Sequence, residues 1–308
     1  MPVISILGAT GQQGSAVLRS ILSDGTFTPR ALTRNPDSPA SQALAAQGVQ
    51  VVKADLWDTE SIKEALAGSD LVFGVTNFWD PSVFPGTPNG VGEITQGKNL
   101  VDAAKAVGIK FFVWSALPSS KLLSGGKYPD VYHIDSKAEV WDYLKESGVP
   151  CAAVDTPYFA ENLWTFAMQK NEAGTGYIIP VPYTAEALQS FLWVSHDLGP
   201  AALALLKNFD DPERKGQDVL GKAFPIVSFI ETYPEVAKRI SAAIGKEVVF
   251  VPIETCGLHE LDQMYRYQAD FGMYRDLPIP NPDLVALGFK AVGTLDELIE
   301  TQIVPRFK

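Results

Sequence analysis

The opening stretch of the chain limits the fold more than any other. Ile4-Ser5-Ile6-Leu7 is apolar and β-prone, the glycine-studded Gly8-Ala9-Thr10-Gly11-Gln12-Gln13-Gly14 follows at once, and an amphipathic run begins at Ser15. This order predicts a strand, a tight turn and a helix start. The glycines have separate tasks: turning the chain after the strand, letting backbone approach a diphosphate, and packing helix close on sheet. Unpaired N–H groups at the helix start then face the anion, where the helix dipole also favours negative charge. Gly8, Thr10, Gly11, Gln12, Gln13 and Gly14 are therefore the expected cradle of a dinucleotide. The spacing, Gly8-x-x-Gly11-x-x-Gly14, is one residue wider than the GxGxxG fingerprint, so an ordinary glycine-rich turn is the competing reading and context must decide.

That context begins at Arg30-Ala31-Leu32-Thr33-Arg34-Asn35-Pro36, a second strand ending in a basic residue. In dinucleotide-binding folds this strand end meets the adenosine ribose. An acid there bonds the two hydroxyls of NAD, whereas an arginine takes the 2′-phosphate of NADP in a forked, charge-assisted contact. Arg34 argues for NADP (NADPH), with NAD as the second choice.

Strand and helix patterns then alternate. Helices are predicted over 15–22, 39–47, 62–67 (opened by a Ser61-x-x-Glu64 capping box), 93–107 and 134–147; strands over 49–55, 70–77, 110–115 and 151–155. Connections too long for hairpins mean an α/β fold, a doubly wound parallel sheet with helices on both faces. Ligands of such sheets bind beyond the carboxyl ends of the strands. Gly11, Arg34, Asp55, Thr76, Asn77 and Ser115 all fall at those ends.

After about residue 156 the alternation breaks down. Short strands at 177–180 and 192–194, a capped helix from Ser195 to Leu206, a helix over 234–244, a strand over 247–251 and a last helix opening at Thr294-x-x-Glu297 suggest a smaller α+β lobe. The expected division is a dinucleotide-binding domain, 1–155, and a C-terminal lobe, 156–308, that walls a cleft, with 190–206 returning to the first domain. The loop Phe78 to Gly92 is long enough to be functional.

A formal net charge of −11 gives no electrostatic footprint for nucleic acid. Two separated cysteines indicate neither a disulfide framework nor a zinc site. The chain enters its first strand without a leader and holds no apolar run of membrane length, so a cytoplasmic location is expected, with nuclear access left open. The three histidines lie far apart, which argues against a metal. Ser195-His196-Asp197 reads as a helix cap, not a triad.

His133 and Lys137, four residues apart, share one helix face, and Ser115 at a strand end is the natural third member of a catalytic group. Together with Gly8-Ala9-Thr10-Gly11-Gln12-Gln13-Gly14, Thr33-Arg34-Asn35, Ala54-Asp55-Leu56, Val113-Trp114-Ser115-Ala116-Leu117-Pro118 and Pro157-Tyr158-Phe159-Ala160-Glu161-Asn162, this pair resembles the NmrA-like proteins, atypical members of the short-chain dehydrogenase/reductase superfamily. The resemblance covers nearly the whole chain. It implies a Rossmann domain holding NAD(P), with Arg34 at the 2′-phosphate, Lys137 near the nicotinamide ribose, and Leu56, Tyr158 and Asn162 in the cofactor wall.

Active reductases of the superfamily carry Tyr-x-x-x-Lys, and here His133 stands where that tyrosine would. Beside a lysine cation a histidine is expected to be a poor proton donor at neutral pH, and Tyr132 is rotated by about 100° from the lysine's face. The resemblance therefore implies, first, a redox-sensing regulator that binds NADP(H) and acts through a protein partner such as a transcription regulator without efficient turnover. The alternative is an isoflavone-reductase-like oxidoreductase using Lys137 on a small aromatic or enone substrate. Under that alternative Trp79, Phe84, Tyr158, Phe159 and Trp164 line a substrate pocket; otherwise they pack the lobes.

Overall fold

The structure, a computed structural model, describes residues 1–210, 218–290 and 292–308. Strand and helix alternate as β1 (Val3–Leu7), α1 (Gln12–Asp24), β2 (Thr28–Thr33), α2 (Pro39–Ala46), β3 (Gln50–Lys53), α3 (Thr59–Leu66), β4 (Leu71–Gly74), α4 (Val91–Val107), β5 (Phe111–Ala116), a short α5 (Ser120–Leu123), α6 (Tyr132–Ser147) and β6 (Cys151–Asp155). There follow β7 (Tyr158–Phe159), β8 (Gln169–Lys170), β9 (Tyr177–Val181), β10 (Leu188–Leu192), α7 (Gly199–Asn208), β11 (Ala223–Pro225), β12 (Phe229–Thr232), α8 (Tyr233–Ile244), β13 (Val248–Pro252) and α9 (His259–Phe271), then short helical turns.

Seven strands form one parallel sheet in the order β11-β6-β5-β4-β1-β2-β3. The chain winds from β1 out to β3, returns to β4 beside β1, and winds the other way. The crevice between β1 and β4 is therefore the switch point, where ligands of open α/β sheets bind. Successive side chains alternate between the two faces. Phe111 and Val113 of β5 pack with Ile4, Ile6, Val17, Leu18 and Leu205 on one side, while Phe112 and Trp114 pack with Ile62, Leu100, Val140 and Leu144 on the other.

Two three-stranded sheets, β12-β10-β7 and β13-β9-β8, build a second core around Tyr158, Ile179, Phe191, Tyr233, Val236, Ile240 and Tyr265. The segment after β10, Val194 to Asn208, packs on α1. A Cβ at Gly199 would come within 2.3 Å of the Ala16 carbonyl oxygen.

Some boundaries differ from the sequence reading. α3 is capped by Asp58, whose carboxylate accepts the N–H groups of Glu60 and Ser61 at 3.0 and 3.3 Å. The Ser61 hydroxyl accepts from the Asp55 amide instead. The strand expected at 192–194 ends at Leu192, and Val194–Leu198 forms a π-helical turn leading into α7. Ser195 caps nothing. The Glu161 carboxylate takes the amides of Val194 and Ser195 at 3.2 and 2.8 Å and the Ser195 hydroxyl at 2.8 Å, a capping group far away in sequence.

Candidate functional site

The glycine loop has the geometry its spacing requires. Gly8 is left-handed at φ 61°, and its carbonyl accepts the Gly11 N–H at 2.7 Å. At Gly14 a Cβ would lie 2.3 Å from the Gly8 oxygen and 2.5 Å from the Leu7 oxygen, so only glycine lets α1 pack this close to β1. α1 has no side-chain cap and no acidic residue in its first turn. Its first amides are left for an anion.

The loop opens into a cavity of about 1020 Å³ across the ends of the central strands. Of the residues expected at a dinucleotide site, Gly8, Thr10, Gly11, Gln12, Gln13, Gly14, Arg34, Leu56, Thr76, Asn77, His133, Lys137, Tyr158 and Asn162 line it. Asp55 and Ser115 are not in the wall. The Asp55 carboxylate turns back to the Trp57 amide at 3.0 Å. Ser115 is fully buried and donates to the Gln13 side-chain oxygen at 2.6 Å, so it braces the glycine loop.

Lys137 is neither exposed nor unpaired. Its Nζ lies 2.5 Å from Oε1 of Glu93, whose side chain is completely buried at the start of α4. Thr76 donates to the same oxygen at 2.7 Å and Ser136 to the other one. A buried carboxylate with three donors offsets the lysine charge. This removes the premise that Lys137 confronts His133 as a bare cation.

His133 has a carboxylate of its own. Both its backbone N–H and its Nδ1 meet Oε1 of Glu260, at 2.7 and 2.6 Å. Glu260 is buried on α9, and its second oxygen has no partner among the described residues. The Nδ1 hydrogen is thereby assigned to Glu260. Nε2 makes no hydrogen bond among the described residues and belongs to a ring in the cavity wall. Phe78 and Trp79 flank that ring, with centroids 5.8 and 5.6 Å away. Tyr132 donates to Asp130 at 2.7 Å, outside the cavity, and burial together with that bond pushes its hydroxyl up to about 12.

Arg34 forms an ion pair with Asp80, Nη1 to Oδ2 at 2.5 Å. Asp80 also accepts the Ser82 hydroxyl at 2.6 Å and the Ser82 amide at 2.9 Å. The Ser82 hydroxyl bond and the arginine together hold its carboxyl below the usual range. The same cavity is lined on its apolar side by Leu261, Met264 and Tyr265 of α9 with Met273, Leu117 and Tyr158. Of the aromatics considered from the sequence, Trp79, Tyr158 and Phe159 line the cavity. Phe84 instead stacks under Phe78, and Trp164 lies beneath Arg306.

Glu93, Glu260 and Asp80 escaped the sequence reading. Glu93 carried a weak signal, an acid in the first turn of a helix, which the helix dipole explains equally well. Glu260 and Asp80 carried none. Among the described residues no cluster of three metal-ligating side chains exists.

The sequence profile described as "NmrA-like family" matches residues 2–284. The oxidoreductase lnbB of Aspergillus flavus, named as containing an NmrA-like family domain, is 30% identical over 278 residues, covering 84% of this chain and 80% of that protein. Among solved structures, NmrA, a negative transcriptional regulator in complex with NADP, superposes with a TM-score of 0.79 at 19% identity, over 99% of this chain and 96% of that one. The NADPH-dependent quinone oxidoreductase of Escherichia coli, complexed with NADPH, does so with 0.74 at 22% identity, over 97% and 99%. A seven-stranded parallel sheet with its switch point beside an uncapped glycine turn, and a profile match over nearly the whole chain, lead to one assignment: this protein belongs to the NmrA-like family.

Proposed function

We propose that the protein is an NADP(H)-binding oxidoreductase that reduces a small, largely apolar substrate, aromatic or enone in character. The observation that carries this reading is the group of apolar side chains, Leu117, Met264, Tyr265 and Met273, that lines the same cavity as the glycine loop and His133. The relatives named as oxidoreductases support the same choice.

The residues fit the cofactor. The uncapped amides of α1 and the glycine loop would take the diphosphate, Arg34 the 2′-phosphate, and Thr76, Asn77 and Lys137 the nicotinamide half. When bound in reduced form, the dinucleotide supplies a hydride. The chain's own part is to hold the substrate against these apolar side chains and, from the imidazolium form of His133 that carries a hydrogen on each ring nitrogen, to deliver the Nε2 proton to the substrate oxygen, leaving the neutral ring with its Nδ1 hydrogen on Glu260. Glu260 keeps that ring turned toward the cavity by holding Nδ1. Lys137, neutralised by Glu93, orients the sugar without repelling a protonated imidazole.

A regulatory role through a protein partner keeps one specific observation in its favour, the missing tyrosine at position 133. The two readings separate when purified protein is mixed with NADPH and a panel of aromatic enones, ketones and quinones and nicotinamide absorbance is followed. Turnover that is lost in Lys137→Ala and His133→Gln supports the oxidoreductase. Tight NADPH binding with no turnover across the panel overturns it in favour of the sensor.

A further inference from the structure

We infer that Asp80 sets the choice between the 2′-phosphorylated and the unphosphorylated dinucleotide, acting as a fixed internal anion on Arg34. This rests on the dinucleotide reading above and adds a residue to it. Arg34 stands at the end of β2, where a 2′-phosphate would be gripped, but its guanidinium is already 2.5 Å from a carboxylate. The loop after β4 delivers that carboxylate, which is only 10% exposed, and Ser82 pins it from the far side through its hydroxyl and its amide. It cannot swing aside without giving up both bonds.

A 2′-phosphate brings about −1.5 to −2 charges to this spot. It must share or displace the pair on Arg34 and then lie beside Asp80, like charge against like. A ribose with free hydroxyls meets the opposite situation, because an ionised carboxylate accepts hydrogen bonds from them. The acid that NAD-binding folds carry at the end of the second strand is here supplied from another loop and set against an arginine. The site thus holds both determinants, and Asp80 reduces the preference that Arg34 alone would give. Because Arg34 is 64% exposed, water screens the effect and keeps it moderate. The same loop holds Trp79 against His133, so consecutive residues of one segment meet both Arg34 and His133.

The test is Asp80→Asn, which keeps an acceptor for Ser82 and removes the charge. Dissociation constants for NADPH and NADH are read from nicotinamide fluorescence, with no substrate and no turnover. The expected result is NADPH binding tightened about fivefold and NADH binding weakened or unchanged, so that the ratio moves toward NADPH. An unchanged ratio, equal losses for both nucleotides, or weaker NADPH binding would each overturn the proposal while leaving the dinucleotide reading intact. Failure of the unsubstituted protein to bind either nucleotide would overturn both.

Discussion

Nδ1 of His133 and Oε1 of Glu260 lie 2.6 Å apart although 127 residues separate them in the chain. The contact changes what the histidine can do. A ring held at Nδ1 by a buried carboxylate has a defined tautomer and a defined direction, with Nε2 as the working nitrogen. Without Glu260 the same ring would be one more aromatic between Phe78 and Trp79.

Glu260→Gln is therefore expected to lower turnover by about 10- to 100-fold, less than the roughly 10²–10⁴-fold that a general acid–base group itself contributes, because Glu260 only positions that group. NADPH affinity should stay within about twofold. The measurement is the pH profile of kcat/KM together with the nucleotide dissociation constant. A merely structural role would leave the shape of the profile in place and weaken both nucleotide binding and turnover.

The pair of Lys137 with Glu93 gives a stability prediction. Glu93→Leu strands a buried ammonium and should cost about 3–5 kcal/mol, the penalty for breaking a buried pair from one side. Adding Lys137→Met removes the stranded charge and should recover most of that loss. Urea denaturation of the two variants checks it. A double variant no more stable than Glu93→Leu would mean that Thr76 and Ser136, not the lysine, are the partners that matter.

Arg34→Ala should weaken NADPH binding by about tenfold or more, the loss of a charge-assisted fork, and leave NADH nearly unchanged. Fluorescence titration measures both. Equal losses would mean that Arg34 serves the loop through Asp80 and does not meet the 2′-phosphate.

Asp155, at the end of β6, receives a hydrogen bond from Tyr274 at 2.8 Å, but burial dominates and pushes its carboxyl up to about 6 from an ordinary 3.8. A carboxyl raised on folding keeps its proton longer in the native state, so stability falls as pH rises from about 4 to 6 and stays at the lower level above. Asp155→Asn has no such proton to lose. The difference in unfolding free energy, variant minus parent, should grow in the variant's favour across that window by up to about 3 kcal/mol, at 1.36 per pH unit. Urea midpoints at pH 4, 5, 6 and 7 test this, and a constant difference would contradict it.

Arg34 shows how far linear reading reaches. Its place at a strand end follows from periodicity alone, and the strand is there. Its partner could not be anticipated, because Asp80 sits in a proline- and glycine-rich loop whose path no local propensity dictates. The Ser195 segment repeats the lesson: a serine before a helical run suggests a cap, yet Glu161 does the capping from a distant turn.

By itself the sequence determined the alternation of strand and helix, the parallel sheet that follows from it, the glycine turn, and the strand ends where a ligand would lie. These depend on periods of 2 and 3.6 residues and on backbone freedom at single glycines, which neighbouring residues express. Only the tertiary structure decided which charges meet: Lys137 with Glu93, His133 with Glu260, Arg34 with Asp80. Buried and half-buried charges need partners wherever the fold supplies them. That requirement is blind to sequence distance, so these pairs become visible only when the chain is folded.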